Sequence, residues 1–164
     1  MGHPKKQRRK YETPKRPYDK VRIEREKAVK ENFGLRRKKE IWRAESILRN
    51  FRRRARELLA RRNEKEEKML LETLRNMGII CENLDDVLEI NLDNILSRRL
   101  QTVVYKKGLA NTARHARQLV VHGNVFVSGR KVLYPSYIVK KAEEDKIILS
   151  PKIKLSGEIK TGEK

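Results

Sequence analysis

The chain has 164 residues, 37% hydrophobic and 39% charged, with a formal net charge of +20. So thin an apolar supply supports one or two small cores and excludes a single large one, and no apolar run approaches the roughly 20 residues of a membrane-spanning helix. The excess positive charge repels itself in a compact fold, so it implies a polyanionic partner, with nucleic acid ahead of an anionic membrane surface.

Residues 1–62 hold 24 Lys and Arg against 8 Asp and Glu. Within them, residues 1–20 read as an extended basic arm. Pro4, Pro14 and Pro17 break helices, and apolar residues are nearly absent. Lys5, Lys6, Arg8, Arg9, Lys10, Lys15 and Arg16 suit phosphates, and Tyr11 and Tyr18 suit base stacking or a groove. The competing reading is a solvated tail. The basic N-terminus has no apolar stretch behind it, so no signal peptide is expected and the cytoplasm is the default.

Residues 21–33 form a first expected helix, with Val21, Ile23, Ala28, Val29 and Phe33 as its apolar side and Gly34 as its stop. Residues 36–62 give a long helix. Ile41, Ala44, Leu48, Phe51, Ala55 and Leu58 step by three and four into one stripe, which Trp42, Ile47 and Leu59 widen. Most of the remaining circumference is cationic: Arg36, Arg37, Arg43, Arg49, Arg52, Arg53, Arg54, Arg56, Arg61 and Arg62, interrupted by few carboxylates. A solvated face usually mixes signs, and the planar fork of arginine grips phosphate oxygens, so this face reads as phosphate-facing.

Residues 63–95 reverse the balance, with 3 basic against 9 acidic side chains. Asn63 is the expected cap of a helix with Glu64, Glu66 and Glu67 in its first turn, packed through Leu70, Leu71, Leu74 and Met77 and stopped at Gly78. Its carboxylates read as structural or directed at basic neighbours, since nothing marks one as desolvated for catalysis. Cys81, the single cysteine, excludes an intrachain disulfide and a multi-cysteine zinc site, and beside Ile79 and Ile80 it reads as a core residue. Residues 84–90 make a short helix or turn. Asn91 then caps one continuous helix over residues 92–107, with Leu92, Ile95, Leu96, Leu100, Val103 and Val104 buried and Arg98, Arg99, Lys106 and Lys107 outside.

In residues 108–137 Thr112 caps a helix that ends at Gly123. Ala113, Ala116, Leu119 and Val120 fall on one side, and Arg114, His115, Arg117, Gln118 and His122 on the other. One face packs while the other offers cations and donors. Residues 124–128 form a strand, Ser128-Gly129 a turn, residues 131–133 the return, and residues 146–150 a third strand.

The stretch GLANTARHARQLVVHGNVFVSGRKVLYPSYIV resembles the RNA-binding module named after small ribosomal subunit protein four. Gly108-Leu109-Ala110, Ala116-Arg117-Gln118-Leu119, His122-Gly123, the Val-rich residues 125–132 and Pro135-Ser136-Tyr137 carry the likeness together. Several RNA-acting proteins use this module. The segments RRLQTVVYKKGLA, FGLRRKKEIWRAESILRNFRRRARELLA and ETPKRPYDK resemble the ribosomal protein family itself in its archaeal and eukaryotic cytosolic branch, and the short C-terminal tail fits the archaeal type. Two departures stand out. Residues 139–146 lack the Gly-Asp turn common before the last strand, and the cysteine-based zinc site of some relatives is missing.

The resemblance implies an α+β protein without enzymatic activity or cofactor. It has an arm (1–20), a helical N-terminal domain (21–95), a module of two helices on a short twisted antiparallel sheet (96–155) and a tail (156–164). Its partners would be small-subunit ribosomal RNA, bound at a multi-helix junction of the 5′ domain, neighbouring ribosomal proteins, and messenger RNA where it enters. Roles in assembly and translational accuracy follow. The expected RNA contacts of the module are Arg98, Arg99, Lys106, Lys107, Thr112, Arg114, His115, Arg117, Gln118, His122, Arg130, Lys131, Tyr134, Ser136 and Tyr137. For three of them another role stays open: His115 as core residue or metal ligand, His122 as helix-end cap, Tyr137 as core. A free-standing RNA-binding protein, or the RNA-binding appendage of an RNA-modifying enzyme, is the alternative.

Overall fold

The computed structural model describes Gly2 and residues 9–61 and 63–151. The expectations for Lys5, Lys6, Arg8, Arg62 and residues 156–164 lie outside them. The protein is α+β, mostly helical, with a small antiparallel sheet near its C-terminal end.

Helix α1 (Lys20–Asn32) starts at Asp19, whose carboxylate accepts from the Arg22 N–H. It buries little: Val21 is 77% exposed, and its one buried side chain is Glu26, which sequence patterning had no reason to place inside. Gly34 follows with φ of +59°, so the chain leaves the helix through a left-handed residue. Helix α2 (Lys38–Arg61) runs 24 residues and buries the expected stripe of Ile41, Ala44, Leu48, Phe51, Ala55 and Leu58. It packs against α1, α3 (Glu64–Asn76), α4 (Leu84–Glu89) and α5 (Leu92–Ser97). Asn63 stands at the start of α3, but its amide donates to Glu66 Oε1 at 3.0 Å and caps no backbone N–H. Asp86 holds the start of α4 by accepting from the N–H groups of Glu82 and Asn83, which lowers its carboxyl pKa.

The helix expected over residues 92–107 is two helices, α5 and α6 (Leu100–Lys106). Residues 137–139 dock at the break. Leu100 N–H donates to Tyr137 O at 2.7 Å, Val139 N–H donates to Arg98 O at 2.9 Å, and Arg99 forms an isolated antiparallel bridge with Ile138. Arg99 adopts extended backbone angles to make these bonds. Long-range pairing thus replaces helical bonds, while the hydrophobic period runs through the break unchanged.

Helix α7 (Ala113–Val121) follows, then β1 (Val125–Val127), β2 (Arg130–Lys131), a short helix α8 (Lys141–Glu144) and β3 (Ile147–Leu149). The strand order is β2-β1-β3, both pairings antiparallel, with Val127 opposite Arg130 and Ile147. Ser128 and Gly129 both have positive φ, the geometry of a tight two-residue hairpin turn. The paired return strand is shorter than expected and begins one residue earlier. Where the Gly-Asp turn is missing, α8 fills the connection.

Buried apolar residues fall into two groups. One contains Leu35, the α2 stripe and residues up to Leu96; the other runs from Leu100 to Ile147 and includes Ala116, Val120, Val125 and Val139. They meet at the α5–α6 break. Leu100, fully buried at that junction, is expected to cost about 2–5 kcal/mol when cut to alanine. Leu59→Ala, on a side chain 42% exposed, should stay within about 0.5 kcal/mol. Urea unfolding of the two variants checks the contrast.

Candidate nucleic-acid interface

Helix α7 presents its faces as the periodicity requires. Ala116 and Val120 are fully buried and Leu119 nearly so, while Arg114, Gln118 and His122 are exposed. Thr112 Oγ1 accepts from the His115 N–H at 3.1 Å, so its hydroxyl starts the helix. His115 is half-buried, and its Nδ1 accepts from Asn111 N–H at 3.4 Å. Among the described residues no group of three His, Cys, Asp or Glu is arranged to hold a metal. His122 sits at the C-terminal cap position. Around this helix Lys106, Arg130, Lys131, Tyr134 and Ser136 are exposed, Tyr134 to 71%.

Helix α2 supplies a second cationic surface. Arg43, Arg49, Arg53, Arg54, Arg56 and Arg61 are exposed along it, as are Arg36 and Arg37 just before it. Arg52 differs: it is half-buried, and its Nη2 donates to Ile90 O at 2.7 Å. Arg49 pairs with Glu12 of the arm. The arm lies against α2, with the Tyr11 ring 6.0 Å from that of Trp42 and the Lys39 ammonium 6.0 Å from the Tyr11 ring centroid. Tyr11 therefore packs beside Trp42 at a tilt, whereas Tyr18 is 89% exposed. Arg9, Lys15 and Arg16 are exposed as well.

Three arginines of the module's expected RNA-contact set are turned inward, and Tyr137, for which a core role stayed open, is half-buried. Arg99 is 6% exposed and paired with Glu40 of α2. Arg117 reaches the same Glu40 oxygen at 3.1 Å and Gln101 Oε1 at 3.3 Å. Arg98 donates to Glu144 Oε2 at 2.8 Å and Val139 O at 3.3 Å, and its guanidinium lies over Gly78, where a Cβ would stand 2.6 Å from Arg98 Cζ. The Tyr137 hydroxyl donates to Glu143 Oε2 at 2.8 Å. That bond, with burial and the Glu143 charge, pushes the phenol pKa up. Lys107 is drawn partly the same way, its ammonium 3.8 Å from Asp145 Oδ1. Arg98, Arg99 and Arg117 thus each meet a carboxylate of this chain. A buried guanidinium needs a carboxylate partner, and these have one in place.

Three residues overlooked in the sequence organise the centre. Glu26, 4% exposed, accepts from Trp42 Nε1 at 3.0 Å and pairs with Arg22 and Lys38 at 3.3 and 3.2 Å. Gln101, 1% exposed, donates through Nε2 to the carbonyls of Phe33, Gly34 and Ala113 at 3.1, 3.0 and 2.9 Å. Glu40 accepts from the N–H groups of Arg36 and Arg37 through Oε1, at 3.3 and 3.4 Å, and from Arg99 and Arg117 through Oε2. A glutamate three residues into a helix is the reciprocal half of a capping box, the one sequence signal that marks Glu40. Nothing local marks Gln101.

Burial pushes the Glu40 carboxyl pKa up, but the Arg117 hydrogen bond and the charges of Arg99 and Arg117 outweigh it and leave the group below its ordinary value. Burial pulls Arg99 down, and Glu40 works against that. Arginine nonetheless stays protonated at neutral pH.

A family model for the S4 domain matches residues 98–147. The chain is 51% identical to small ribosomal subunit protein uS4 of Hyperthermus butylicus over 156 residues, covering 92% of this chain and 89% of that one. It is 45% identical to uS4 of Methanothermobacter thermautotrophicus over 168 residues, covering 99% and 98%. With uS4 of Ignicoccus hospitalis the identity is 50% over 156 residues, covering 92% and 94%.

Because the folded Glu40 carboxyl is more acidic than the unfolded one, its ionisation adds stability that is complete above about pH 4.5. That contribution is lost as pH falls through the lowered folded value. Glu40→Gln should therefore flatten the fall in thermal midpoint between neutral and strongly acid pH relative to the unmodified protein, as read by circular dichroism melts across that range.

Proposed function

The chain belongs to the small ribosomal subunit protein uS4 family, and from that premise we propose that it binds a multi-helix junction in the 5′ domain of small-subunit ribosomal RNA, early enough to nucleate assembly. Ribosomal RNA binding in the cytoplasmic small subunit, beside other ribosomal proteins and without enzymatic activity, is what the family and its S4 domain imply. The finer placement is our reading, including a contribution where messenger RNA enters and to translational accuracy.

The observation that carries it is the pair of cationic surfaces, the arginine face of α2 and the exposed face of α7, held in one folded chain. RNA helices meeting at a junction repel one another through their phosphates. Two positive faces on one protein offset that repulsion and release counterions from both partners. Side chains do not reach into the narrow major groove of A-form RNA, so recognition rests on backbone shape and on exposed loops. In the module, Arg114, Gln118, His122, Lys106, Arg130, Lys131, Tyr134 and Ser136 are the proposed contacts. On the other surface they are Arg36, Arg37, Arg43, Arg49, Arg53 and Arg56, joined by Arg9, Lys15 and Arg16 of the arm. His115 contributes its exposed edge. Thr112 and Arg52 act through the structure, one starting α7 and the other holding Ile90.

Affinity for the 5′ domain RNA should fall by about 10³–10⁵ between low and moderate salt if 6–10 phosphates are contacted. Arg114→Glu should weaken binding by about 1.5–3 kcal/mol and reduce the salt slope by roughly one unit. Filter binding across a salt series measures both quantities, and unchanged affinity would remove α7 from the interface. Hydroxyl-radical footprinting on the whole small-subunit RNA tests the location. Protection outside the 5′ domain refutes the proposed site, and failure to co-sediment with small subunits in moderate salt refutes ribosomal incorporation.

A further inference from the structure

Glu40 places a negative charge between two surfaces that both meet a polyanion. By charge alone it weakens RNA binding. Its contacts give it a different part. One oxygen holds the backbone at the start of α2 through the Arg36 and Arg37 N–H groups. The other takes Arg99 from the α5–α6 break and Arg117 from α7. Arg117 passes the connection to Gln101 Oε1, and the Gln101 amide nitrogen holds the carbonyls of the α1–α2 turn and of Ala113. A single carboxylate therefore ties the arginine helix to two parts of the RNA-binding module, the start of α6 and the helix α7.

The seam is also tight. A Cβ on Gly34 would stand 2.9 Å from Ala113 Cβ and 3.0 Å from two backbone atoms beside it, closer than side chains pack. Arg99 and Arg117 converge on one oxygen and would repel each other without it.

We infer that Glu40 is a positioning residue for RNA binding: it sets the angle between the α2 and α7 surfaces so that one folded RNA engages both at once. The inference rests on the rRNA-binding reading above. Two linked contacts strengthen each other only when their geometry allows both to form together. Loss of Glu40 should leave each surface able to bind and weaken their joint engagement.

The test uses the full chain and two RNAs: the 5′ domain fragment, and a single short stem taken from the α7 footprint, too short to reach α2. Glu40→Gln removes a negative charge and is expected to bind the 5′ domain fragment about tenfold more weakly, with the short stem bound no more weakly than by the unmodified chain. Gln101→Met changes no charge and is expected to show the same selective loss. It carries the test if Glu40→Gln does not fold, and circular dichroism melts fix an assay temperature below the transitions of both. Glu57→Gln, on an exposed carboxylate of α2, should bind the 5′ domain fragment no more weakly than the unmodified chain. Equal loss on both RNAs, or undiminished binding of the 5′ domain fragment by the Glu40 and Gln101 variants, overturns the inference. If the unmodified chain binds neither RNA, the rRNA reading itself fails.

Discussion

A guanidinium taken out of water has to meet a carboxylate, and the architecture turns on one such meeting. Arg99 is buried where α5 stops and α6 starts, and Glu40 reaches it from the first turn of a helix nearly sixty positions earlier. Around that pair the chain arranges its other long-range polar bonds. Arg117 joins from α7, Gln101 from α6, and Tyr137, Ile138 and Val139 supply the backbone that breaks the helix. Desolvation makes such a cluster a modest source of net stability. Its use lies in direction: a buried ion pair tolerates few alternative geometries, whereas two apolar cores touching alone would slide.

This matters because the cores are small. With 39% of residues charged, the buried apolar residues divide into one group under α2 and another under α7, and the chain between them is short. Like charges on the two outer surfaces push them apart in the free protein. The acidic stretch of α3 and α4 lies between those surfaces in sequence, Glu40 pairs with Arg117 of α7, and Glu144 takes Arg98. Part of the basic charge is thereby spent within the protein, and the remaining arginines and lysines face outward. Charge count in a sequence thus overstates the surface available to RNA.

Helices were legible wherever one apolar face had to be buried. The stripe of α2 from Ile41 to Leu58 and the buried face of α7 at Ala116, Leu119 and Val120 follow from a 3.6-residue period that no distant contact needs to reinforce. The hairpin was legible from Ser128-Gly129, because a two-residue turn needs positive φ. The division of residues 92–107 into two helices was not, since Leu96 and Leu100 keep the helical spacing across the break. Nor was the inward turn of Arg98, Arg99 and Arg117. An arginine flanking an apolar stripe looks the same on paper whether it meets a phosphate or a carboxylate from elsewhere in the chain. Glu26 was hidden for the matching reason: its burial depends on Trp42, Arg22 and Lys38 arriving together.

The sequence by itself determined the helical and strand periods, the two blocks of positive charge, the motif of the RNA-binding module and hence the class of partner. These are local or additive properties, written into the spacing of side chains along the backbone and into the charge sum. Only the tertiary structure decided which cations remain outside, where the helix breaks and how the two surfaces are joined. Those outcomes depend on pairs of groups far apart in sequence, and an ion pair or a backbone bridge is favourable only once folding has removed water from between them.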